Sequence, residues 1–398
     1  MQRRNLKMRN VLLTFLVATV GSSFGQPFYP LYSGRSVTEL TDWQFGFVSN
    51  FGDVLRNVDT SQIVTSQRVT VPSAFDVAAP GVLGRRGTGF YRTSITHVGR
   101  SRLQFAACSF FCRVWVDGAE VGSHRAGGYA PFWADIPPAQ TAKARELLVL
   151  VDNRFNSTTA PVHTGGDFYE YGGLTRSVVL HALGSGAFVH GVRVLPLNTT
   201  AVAVTVSVRG GTAQMAELVS ISFDAHNVSA HMHVAGDGGE ATAELTVVGA
   251  RPWSLDAPHL HTVTVRVVSS GDGATARFGL RTLGVSASGR LTINGEVVKL
   301  RGVNRHTLSP SSGSALSLAE VSRDVSLLLE LGANYVRGAH YPQVRATAAT
   351  APARRPPRVP RCSSDPRAIA PWCCRISDSS TCATKPGLPS GRRPSARR

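Results

Sequence analysis

Strict alternation of branched apolar residues with small or polar residues is the feature that most constrains this chain. In "AVAVTVSVRG", Val202, Val204, Val206 and Val208 fall on one face of an extended strand. The stretches "LVSISFDAHN", "EATAELTVV" and "HTVTVRVVSSG" continue the pattern at regular spacing, with turn residues between them. Residues 184–283 are therefore predicted to form an immunoglobulin-like β-sandwich.

The preceding residues, 26–183, carry the same kind of signal with less regular alternation. Short β-branched or aromatic runs such as "RVWVDGAEV" and "ELLVLVDNRF" are separated by Gly, Pro, Asn and Asp. Asp117-Gly118 lies between two such runs and favours a hairpin turn, because both turn positions need φ above zero. These residues are predicted to form a first β-sandwich.

The sequence period changes after Leu283. The short apolar run "EVVKLRGV" predicts a strand buried on both faces. A helix is predicted over "SLAEVSRDVSLLLELG", with a capping box at Ser317 and Glu320 and an end at Gly332. Its apolar face would consist of Leu318, Val321, Val325, Leu328 and Leu329. With a further strand in "ANYVRGAHYP", residues 284–343 read as a βαβ unit, the start of a parallel α/β fold.

The pattern stops at Gln343. Residues 344–398 are rich in Arg, Pro, Ala and Ser and follow no period, so we expect them to be disordered. Because the change falls within a motif, we interpret this tail as translated out of frame, through a frameshift, a retained intron or a faulty gene model. A genuine isoform is the alternative.

The net charge of +17 would favour an anionic partner if it were spread over the folded chain. Residues 345–398 carry +10, however, and the first nine residues carry +4, which leaves +3 for the remainder. We therefore expect no nucleic-acid partner. A basic tail that binds an anionic polymer is kept only as the last of three functional hypotheses.

The first 25 residues are predicted to be a signal peptide. Basic "MQRRNLKMRN" precedes apolar "VLLTFLVATV" and then the small residues of "GSSFG". The apolar core is about ten residues, whereas a membrane span needs about 20, so we expect no stable membrane anchor. The sequons at Asn156, Asn198 and Asn227 also favour the secretory pathway, with an extracellular, lysosomal or vacuolar destination.

The cysteines do not indicate a disulfide framework or a metal site. An extended chain would separate Cys108 from Cys112 by roughly 13 Å, too far for a bridge, so we expect two buried thiols. The other four, at positions 362, 373, 374 and 382, are not spaced like zinc ligands.

Several stretches together resemble glycoside hydrolase family 2, the β-glucuronidase and β-galactosidase group. "GTGFYRTSI", "VWVDGAEVGSHRAGGYAPFWADI" and "DFYEYGGLTRSVVL" resemble its sugar-binding jelly roll, the last being closest to β-glucuronidases. "RPWSLDAPHLHTVTVRV" and "FGLRTL" resemble the end of its immunoglobulin-like domain. "INGEVVKLRGVNRH" and "GANYVRGAHYP" resemble the first strands of its catalytic (β/α)8 barrel. The resemblance implies a jelly roll over residues 26–183 and a barrel fragment over 284–343.

The resemblance implies a retaining β-glycosidase that needs no cofactor. Such chemistry uses two carboxyl groups about 5 to 5.5 Å apart, one as nucleophile and one as acid and base. In the family both are glutamates on barrel strands that follow the H-Y-P signature. In this sequence that signature is the end of "GANYVRGAHYP". No Glu follows Glu330 in this sequence, so no catalytic residue is assigned and we expect this chain to be inactive.

Three residues match family positions that line the sugar pocket: Asp167, His306 and His340. Both histidines follow strand-like runs, and barrel sites gather where strands end. Asp167 has the alternative of a simple turn aspartate. The supporting residues at these strands are Asn304, Arg305, Asn334 and Arg337; Arg337 has the alternative of pairing with barrel carboxylates. We expect Trp115, Trp133 and Trp253 to be core aromatics.

Two functions come first. One is a β-glucuronidase-like glycosidase homologue, whose sugar could be a glucuronide, a galactoside or a mannoside. The other is a secreted, non-catalytic glycan-binding protein made of two β-sandwiches. A β-glycoside or glycan is the expected partner in both, and no oligomeric state is assigned.

Overall fold

The computed structural model describes residues 30–125, 127–154, 168–212, 214–223, 226–339 and 341–343. The predicted class is confirmed: the chain is mainly β, with two β-sandwiches followed by a βαβ unit. The predicted signal peptide and the tail from residue 344 lie outside the described residues. No helix in the described part of the chain has the length and apolar character needed to cross a membrane.

The first sandwich consists of short strands, as predicted from the apolar runs that turn residues separate in its sequence. In chain order the elements are β1 (Leu31–Ser33), β2 (Ser36–Glu39), β3 (Asp42–Val48), a 3-10 turn (Thr60–Gln62), β4 (Gln67–Thr70), α1 (Phe75–Ala78), β5 (Thr88–Thr96), β6 (Gly99–Phe105), β7 (Phe111–Val116), β8 (Ala119–His124), β9 (Phe132–Ala139), β10 (Ala144–Asp152) and β11 (Val178–Ala182). The larger sheet has the order β4-β3-β5-β10-β7-β8, and the smaller sheet β2-β11-β6-β9. Asp117 and Gly118 turn β7 into β8 with φ of 49° and 78°, as predicted.

The core of the first sandwich lies between these two sheets. It is dominated by aromatic and branched side chains with almost no exposed surface, including Trp43, Phe45, Tyr91, Leu103 and Phe105. Burying each such side chain stabilises the fold by about 1.5–3 kcal/mol. The strands are thereby fixed, and the loops at their ends are held in place.

The second sandwich contains β12 (Phe188–Pro196), β13 (Ala201–Arg209), β14 (Ala216–Phe223), β15 (His226–Ala235), β16 (Glu240–Thr246), β17 (His261–Val267) and β18 (Gly273–Phe278). One sheet has the order β12-β13-β16 and the other β1-β18-β17-β14-β15. The four alternating valines of β13 are all fully buried in its core, which confirms the face predicted from their spacing.

Strand β1 departs from the sequence-based division of the chain. It was assigned to the first sandwich, yet Leu31 pairs with Thr275 and Ser33 with Gly273, at the edge of the second sandwich. Arg35, where the chain passes from β1 to β2, anchors this crossing to the second sandwich. Its buried guanidinium donates to Asp272 from Nε (2.7 Å) and Nη2 (2.6 Å), and Nη2 also donates to the Val189 carbonyl (2.7 Å).

An aromatic and histidine cluster lies beside Arg35 on the outer face of the smaller sheet. The Trp133 ring lies 5.0 Å from that of His181 and 6.4 Å from that of His190. The Arg102 guanidinium lies 4.5 Å from the centre of Trp133 and bonds to His190 Nδ1 at 2.8 Å. The expectation that Trp133 is a core aromatic of its sandwich is therefore wrong, because its strand position points it away from the core.

The βαβ unit follows three short strands, β19 (Leu283–Val285), β20 (Leu291–Ile293) and β21 (Glu296–Val297). It consists of β22 (Gly302–Arg305), α2 (Leu318–Glu330) and β23 (Tyr335–Gly338), with β22 and β23 parallel. The predicted capping box is present, and Gly332, at φ 72°, follows the end of the helix. Val321 and Val325 are buried on the predicted face.

Two local predictions are wrong. The run "EVVKLRGV" does not form one buried strand: β22 begins only at Gly302, and its first three residues are exposed, because within the described residues it pairs only with β23. Cys108 and Cys112 are not about 13 Å apart, since their thiols contact each other and burial raises the pKa of Cys108. The chain between β6 and β7 turns rather than running extended. Both thiols are buried and free, as expected.

Candidate functional site

The parallel pairing of β22 and β23 brings two predicted motifs to the same edge. Arg305 is paired with Gly338 at the carboxyl ends of the strands. His306 directly follows β22, and Tyr341 comes three residues after β23. The hydroxyl of Tyr341 accepts a hydrogen bond from the Thr307 backbone N–H at 3.0 Å. The edge where barrel sites gather therefore carries both His306 and Tyr341.

The first sandwich contacts this edge through aromatic rings. Tyr341 stacks on Tyr129 with ring centres 4.1 Å apart and planes 10° apart. Phe168 lies 4.9 Å from His306 and 5.6 Å from Tyr341, and Phe110 lies 5.7 Å from Tyr129. We call these five residues the junction cluster. Its rings fix the half-buried His306 between the first sandwich and the βαβ unit.

Arg176 anchors the junction cluster by hydrogen bonds. It donates from Nη1 to the Tyr129 carbonyl (2.8 Å) and from Nη2 to the Pro342 carbonyl (2.6 Å). Burial lowers the pKa of Arg176 to about 10, while Tyr129 and Tyr341 oppose the shift. One buried cation therefore ties the first sandwich to the chain just after Tyr341.

Arg305, the last residue of β22 and the neighbour of His306 in sequence, has a structural position. Its Nε and Nη2 donate to Asp324 Oδ2 of α2, at 2.9 and 2.5 Å. Its Nη1 contacts Thr307 Oγ1 (3.4 Å) and Gln343 Oε1 (3.3 Å). Arg305 thus holds the helix against the end of β22, the strand that His306 directly follows.

The other supporting residues lie further from His306. Asn334 accepts from the Arg301 N–H (2.7 Å) and donates to the Lys299 carbonyl (3.0 Å), which fixes the approach to β22. Asn304 and Arg337 are exposed neighbours on β22 and β23, with 3.5 Å between Asn304 Oδ1 and Arg337 Nη1. Arg337 is therefore an exposed residue of the described fold, and its pairing with barrel carboxylates stays a prediction.

A tight loop after Phe168 positions that ring. Asp76, buried in the first sandwich, accepts hydrogen bonds from Tyr169 Oη (2.8 Å) and from the Gly172 N–H (2.6 Å). Burial raises the pKa of Asp76, and these two hydrogen bonds partly offset the rise. A side chain at Gly172 would clash with Phe75, and Gly173 has φ 129°. The two glycines of "YEYGG" are therefore required for the loop to pack.

Some predicted positions lie outside the described residues. These are Asp167, His340 and Asn156, and nothing is described of the Asn227 side chain either. Asn198 lies in an exposed turn between β12 and β13, where its Oδ1 accepts from the Thr200 and Ala201 N–H groups, both at 2.7 Å. Its use as a glycosylation site stays a prediction.

Comparison with known proteins identifies the architecture. Residues 40–183 match the model of "Glycosyl hydrolases family 2, sugar binding domain", and residues 285–349 match "Glycosyl hydrolases family 2, TIM barrel domain". The chain belongs to glycoside hydrolase family 2. Phe110, Tyr129 and Phe168 of the junction cluster lie within the first match, and His306 and Tyr341 lie within the second.

Relatives of this family 2 chain carry related names. It is 30% identical over 258 residues to the β-glucuronidase of Paenibacillus borealis, covering 58% of this chain and 41% of the relative. It is 29% identical over 255 residues to the β-galactosidase of Thermoanaerobacter pseudethanolicus, covering 61% and 34%. The chain spans less than half the length of the curated relatives it matches.

The fold of this family 2 chain is also that of solved structures. A β-galacturonidase from Eisenbergiella tayi bound to galacturonate superposes with a TM-score of 0.68 at 24% identity, covering 81% of this chain and 57% of that one. At this identity the likeness establishes the fold alone.

Sequence reasoning missed Tyr129, Phe168, Arg176 and Tyr341 as parts of the site. Each lies inside a motif that carried the family resemblance, but none was singled out. Arg176 is 47 residues from Tyr129 and 166 residues from Pro342. The available signal was an arginine just before the apolar run at the end of "GGLTRSVVL".

Proposed function

We propose that this chain forms the saccharide-contact part of a β-glucuronidase-like retaining glycosidase. The observation that carries the proposal is the junction cluster, in which the first sandwich and the barrel edge together hold His306. An imidazole can donate or accept a hydrogen bond with sugar hydroxyls. A β-glucuronide is the favoured substrate class, on the strength of the "DFYEYGG" resemblance and the names of the relatives.

Asp167 and His340 are proposed to contact the same saccharide. In sequence each directly precedes a junction residue, Phe168 and Tyr341, whose rings are 5.6 Å apart. A carboxylate and an imidazole would add an acceptor and a second donor or acceptor to His306. Asp167→Ala and His340→Ala are expected to weaken saccharide binding.

Hydrolysis is not expected of this chain. Retaining chemistry needs a nucleophile and an acid and base about 5 to 5.5 Å apart, and the resemblance implies two glutamates beyond the H-Y-P signature. The sequence has no Glu after Glu330. We therefore propose binding of a β-glucuronide without cleavage.

Incubation of the purified chain with 4-nitrophenyl β-D-glucuronide tests this part of the proposal. We expect no release of 4-nitrophenol above buffer, while an active β-glucuronidase assayed in parallel releases it. Release that persists through purification and disappears in His306→Ala would contradict the claim that this chain does not hydrolyse.

A second function is favoured by the two separate, well-filled cores of the sandwiches. A secreted, non-catalytic glycan-binding protein needs only such stable β-domains. A glycan array decides for it if binding survives His306→Ala and tolerates the loss of residues 284–398. Dependence of binding on His306 supports the first function instead.

Secretion is the proposed route for either function. We expect expression in a eukaryotic secretory host to give protein in the medium, with N-glycan at the exposed Asn198. Digestion with an amidase that removes N-glycans should lower its apparent mass, and Asn198→Gln should remove part of that shift. Retention in the cytosol without any glycan would refute the proposed route.

A further inference from the structure

A polar groove of about 400 Å³ lies on the outer face of the larger sheet of the first sandwich, across β4, β3, β5 and β10. Gln44 of β3 is paired with Arg68 of β4 on one side and with Arg92 of β5 on the other. Their neighbours Trp43 and Phe45 point into the core. The three outward side chains therefore form a row rich in N–H donors.

A second row lies beside the first, two residues along each strand and so about 7 Å away. It consists of Asp42, Ser94 and Glu146. Ser94 is paired with Glu146, and Asp42 is next to β5, because the Thr93 hydroxyl donates to its carbonyl at 2.9 Å. This row presents carboxylate and hydroxyl oxygens as acceptors.

The two arginines of the groove are held differently. Arg92 donates from Nη2 to the Ile63 carbonyl at 2.9 Å, and its Nη1 bonds to Glu146, so its guanidinium is fixed. Arg68 is 82% exposed, with Nε 3.4 Å from Asp42 Oδ1. Exposed pairs of this kind contribute little, so Arg68 is available to an incoming anion.

The groove is distinct from the junction cluster. Glu146 lies near the start of β10, whereas the Phe110 N–H of the junction cluster bonds to the carbonyl of Asp152 at its end. Six residues of extended strand separate Glu146 from Asp152, or about 20 Å. One monosaccharide cannot contact both places.

We propose that this groove binds an acidic oligosaccharide. A uronate carboxylate lies against the exposed Arg68, because a guanidinium matches a carboxylate by paired N–H donors, while Arg92 stays bonded to Glu146 and to the Ile63 carbonyl. The hydroxyl groups of the oligosaccharide donate to Asp42 and Glu146 and exchange hydrogen bonds with Ser94. Arg68 and Arg92 face the groove with Asp42 and Glu146, whereas the Arg145 guanidinium donates to Asp117 (2.6 Å) and to the Pro137 carbonyl (2.9 Å). This binding is independent of the function proposed for the junction cluster.

Isothermal titration with trigalacturonate at low ionic strength tests the proposal, with maltotriose as the neutral probe of the same length. We expect trigalacturonate to bind and maltotriose to bind at least about tenfold more weakly, since each charged hydrogen bond accounts for about that factor. Arg68→Ala should raise the Kd for trigalacturonate about tenfold.

Arg193→Ala is the matched control, because Arg193 is 73% exposed and forms a comparable cross-strand pair with Glu240 at 3.3 Å. It should leave the Kd unchanged. The proposal is overturned if trigalacturonate does not bind, if maltotriose binds equally well, or if Arg68→Ala has no more effect than Arg193→Ala.

Discussion

At the scale of single residues, the site depends on one buried arginine. Arg176 satisfies two carbonyl groups that belong to different parts of the fold, through one buried and one partly buried hydrogen bond beside the stacked rings of Tyr129 and Tyr341. A buried acceptor left without its donor costs more than the bond itself contributes. Arg176 is therefore expected to matter more for stability than its single charge suggests.

Arg176→Met keeps much of the side-chain volume and removes both hydrogen bonds. We expect a loss of about 2–3 kcal/mol in the free energy of unfolding, measured by urea denaturation at pH 7. Arg193→Met, on the surface of the second sandwich, should change it by less than about 0.5 kcal/mol. Equal losses in the free energy of unfolding for the two substitutions would show that Arg176 does not anchor the junction cluster.

Part of the site could be predicted from residues in a motif. His306 lies at the end of its strand, as the order of "GVNRH" after an apolar run indicated. The roles of Tyr129 and Arg176 could not be predicted, since their partners are far away in sequence and no local period encodes such a contact. The contact between Cys108 and Cys112 was missed for a related reason: the chain between them does not continue either strand.

At the scale of elements, a capping box fixes the start of α2 in the βαβ unit. Ser317 and Glu320 close its first turn reciprocally. Burial opposes ionisation of Glu320, but hydrogen bonds from Ser309, Ser317 and Ser312 outweigh it and lower the pKa of Glu320 to about 2. The capping box should therefore persist as pH falls until it approaches that value.

Ser317→Ala removes the cap and should destabilise α2 by about 1 kcal/mol. Native-state hydrogen exchange of the α2 amides measures this directly, as faster opening of the helix. Ser326→Ala, on the exposed side of the same helix, is the control and should leave exchange almost unchanged. Similar acceleration by both variants would mean that the cap contributes nothing.

The βαβ unit should also open more readily than the sandwiches. Val303, Leu327, Tyr335 and Val336 are exposed large apolar residues of its strands and helix, whereas the strands of the sandwiches have buried cores. Amides of β22 and β23 should thus exchange before those of β10. Slower exchange in β22 than in β10 would contradict this order.

Local sequence patterns predicted most of the strands and the helix α2. They did not predict which distant strands pair with one another. Alternation placed the valines of β13 correctly, and turn chemistry placed Asp117-Gly118 and Gly332, because each of these depends on neighbours in sequence. The pairing of β1 with β18 joins residues more than 200 positions apart. No periodicity within β1 could indicate which sandwich it would complete.

At the scale of the whole molecule, the two sandwiches are held together by cations and neutral histidines. Burial, followed by the charges of Arg35 and Arg102, lowers the pKa of His181 to about 3. Burial, followed by Arg102 and Arg209, lowers the pKa of His190 to about 4, against the opposing charge of Asp135. Both rings are therefore neutral in the folded protein at neutral pH.

This arrangement makes the fold sensitive to acid. The unfolded histidines take up protons below about pH 6.5, while the folded ones resist. The contribution of these neutral histidines to the free energy of unfolding is therefore fully present above about pH 6.5. It is lost as the pH falls toward their pKa values in the folded protein. His181 alone accounts for about 2 kcal/mol of this loss at pH 5.

Urea unfolding at pH 7 and pH 5 measures the effect. His181→Gln should reduce the difference in the free energy of unfolding between pH 7 and pH 5. His233→Gln, at an exposed position of β15, should leave that difference unchanged. An unaltered slope in His181→Gln would show that this ring is not the acid-sensitive group.

The central claim is that the first sandwich and the barrel edge together form a saccharide contact at His306. The most direct measurement is the imidazole spectrum of protein labelled with ¹⁵N-histidine during titration with D-glucuronate. We predict a saturable shift of the His306 signals, with those of the buried His181 and the half-buried His190 unmoved. Unchanged His306 signals at saturating glucuronate would contradict the account.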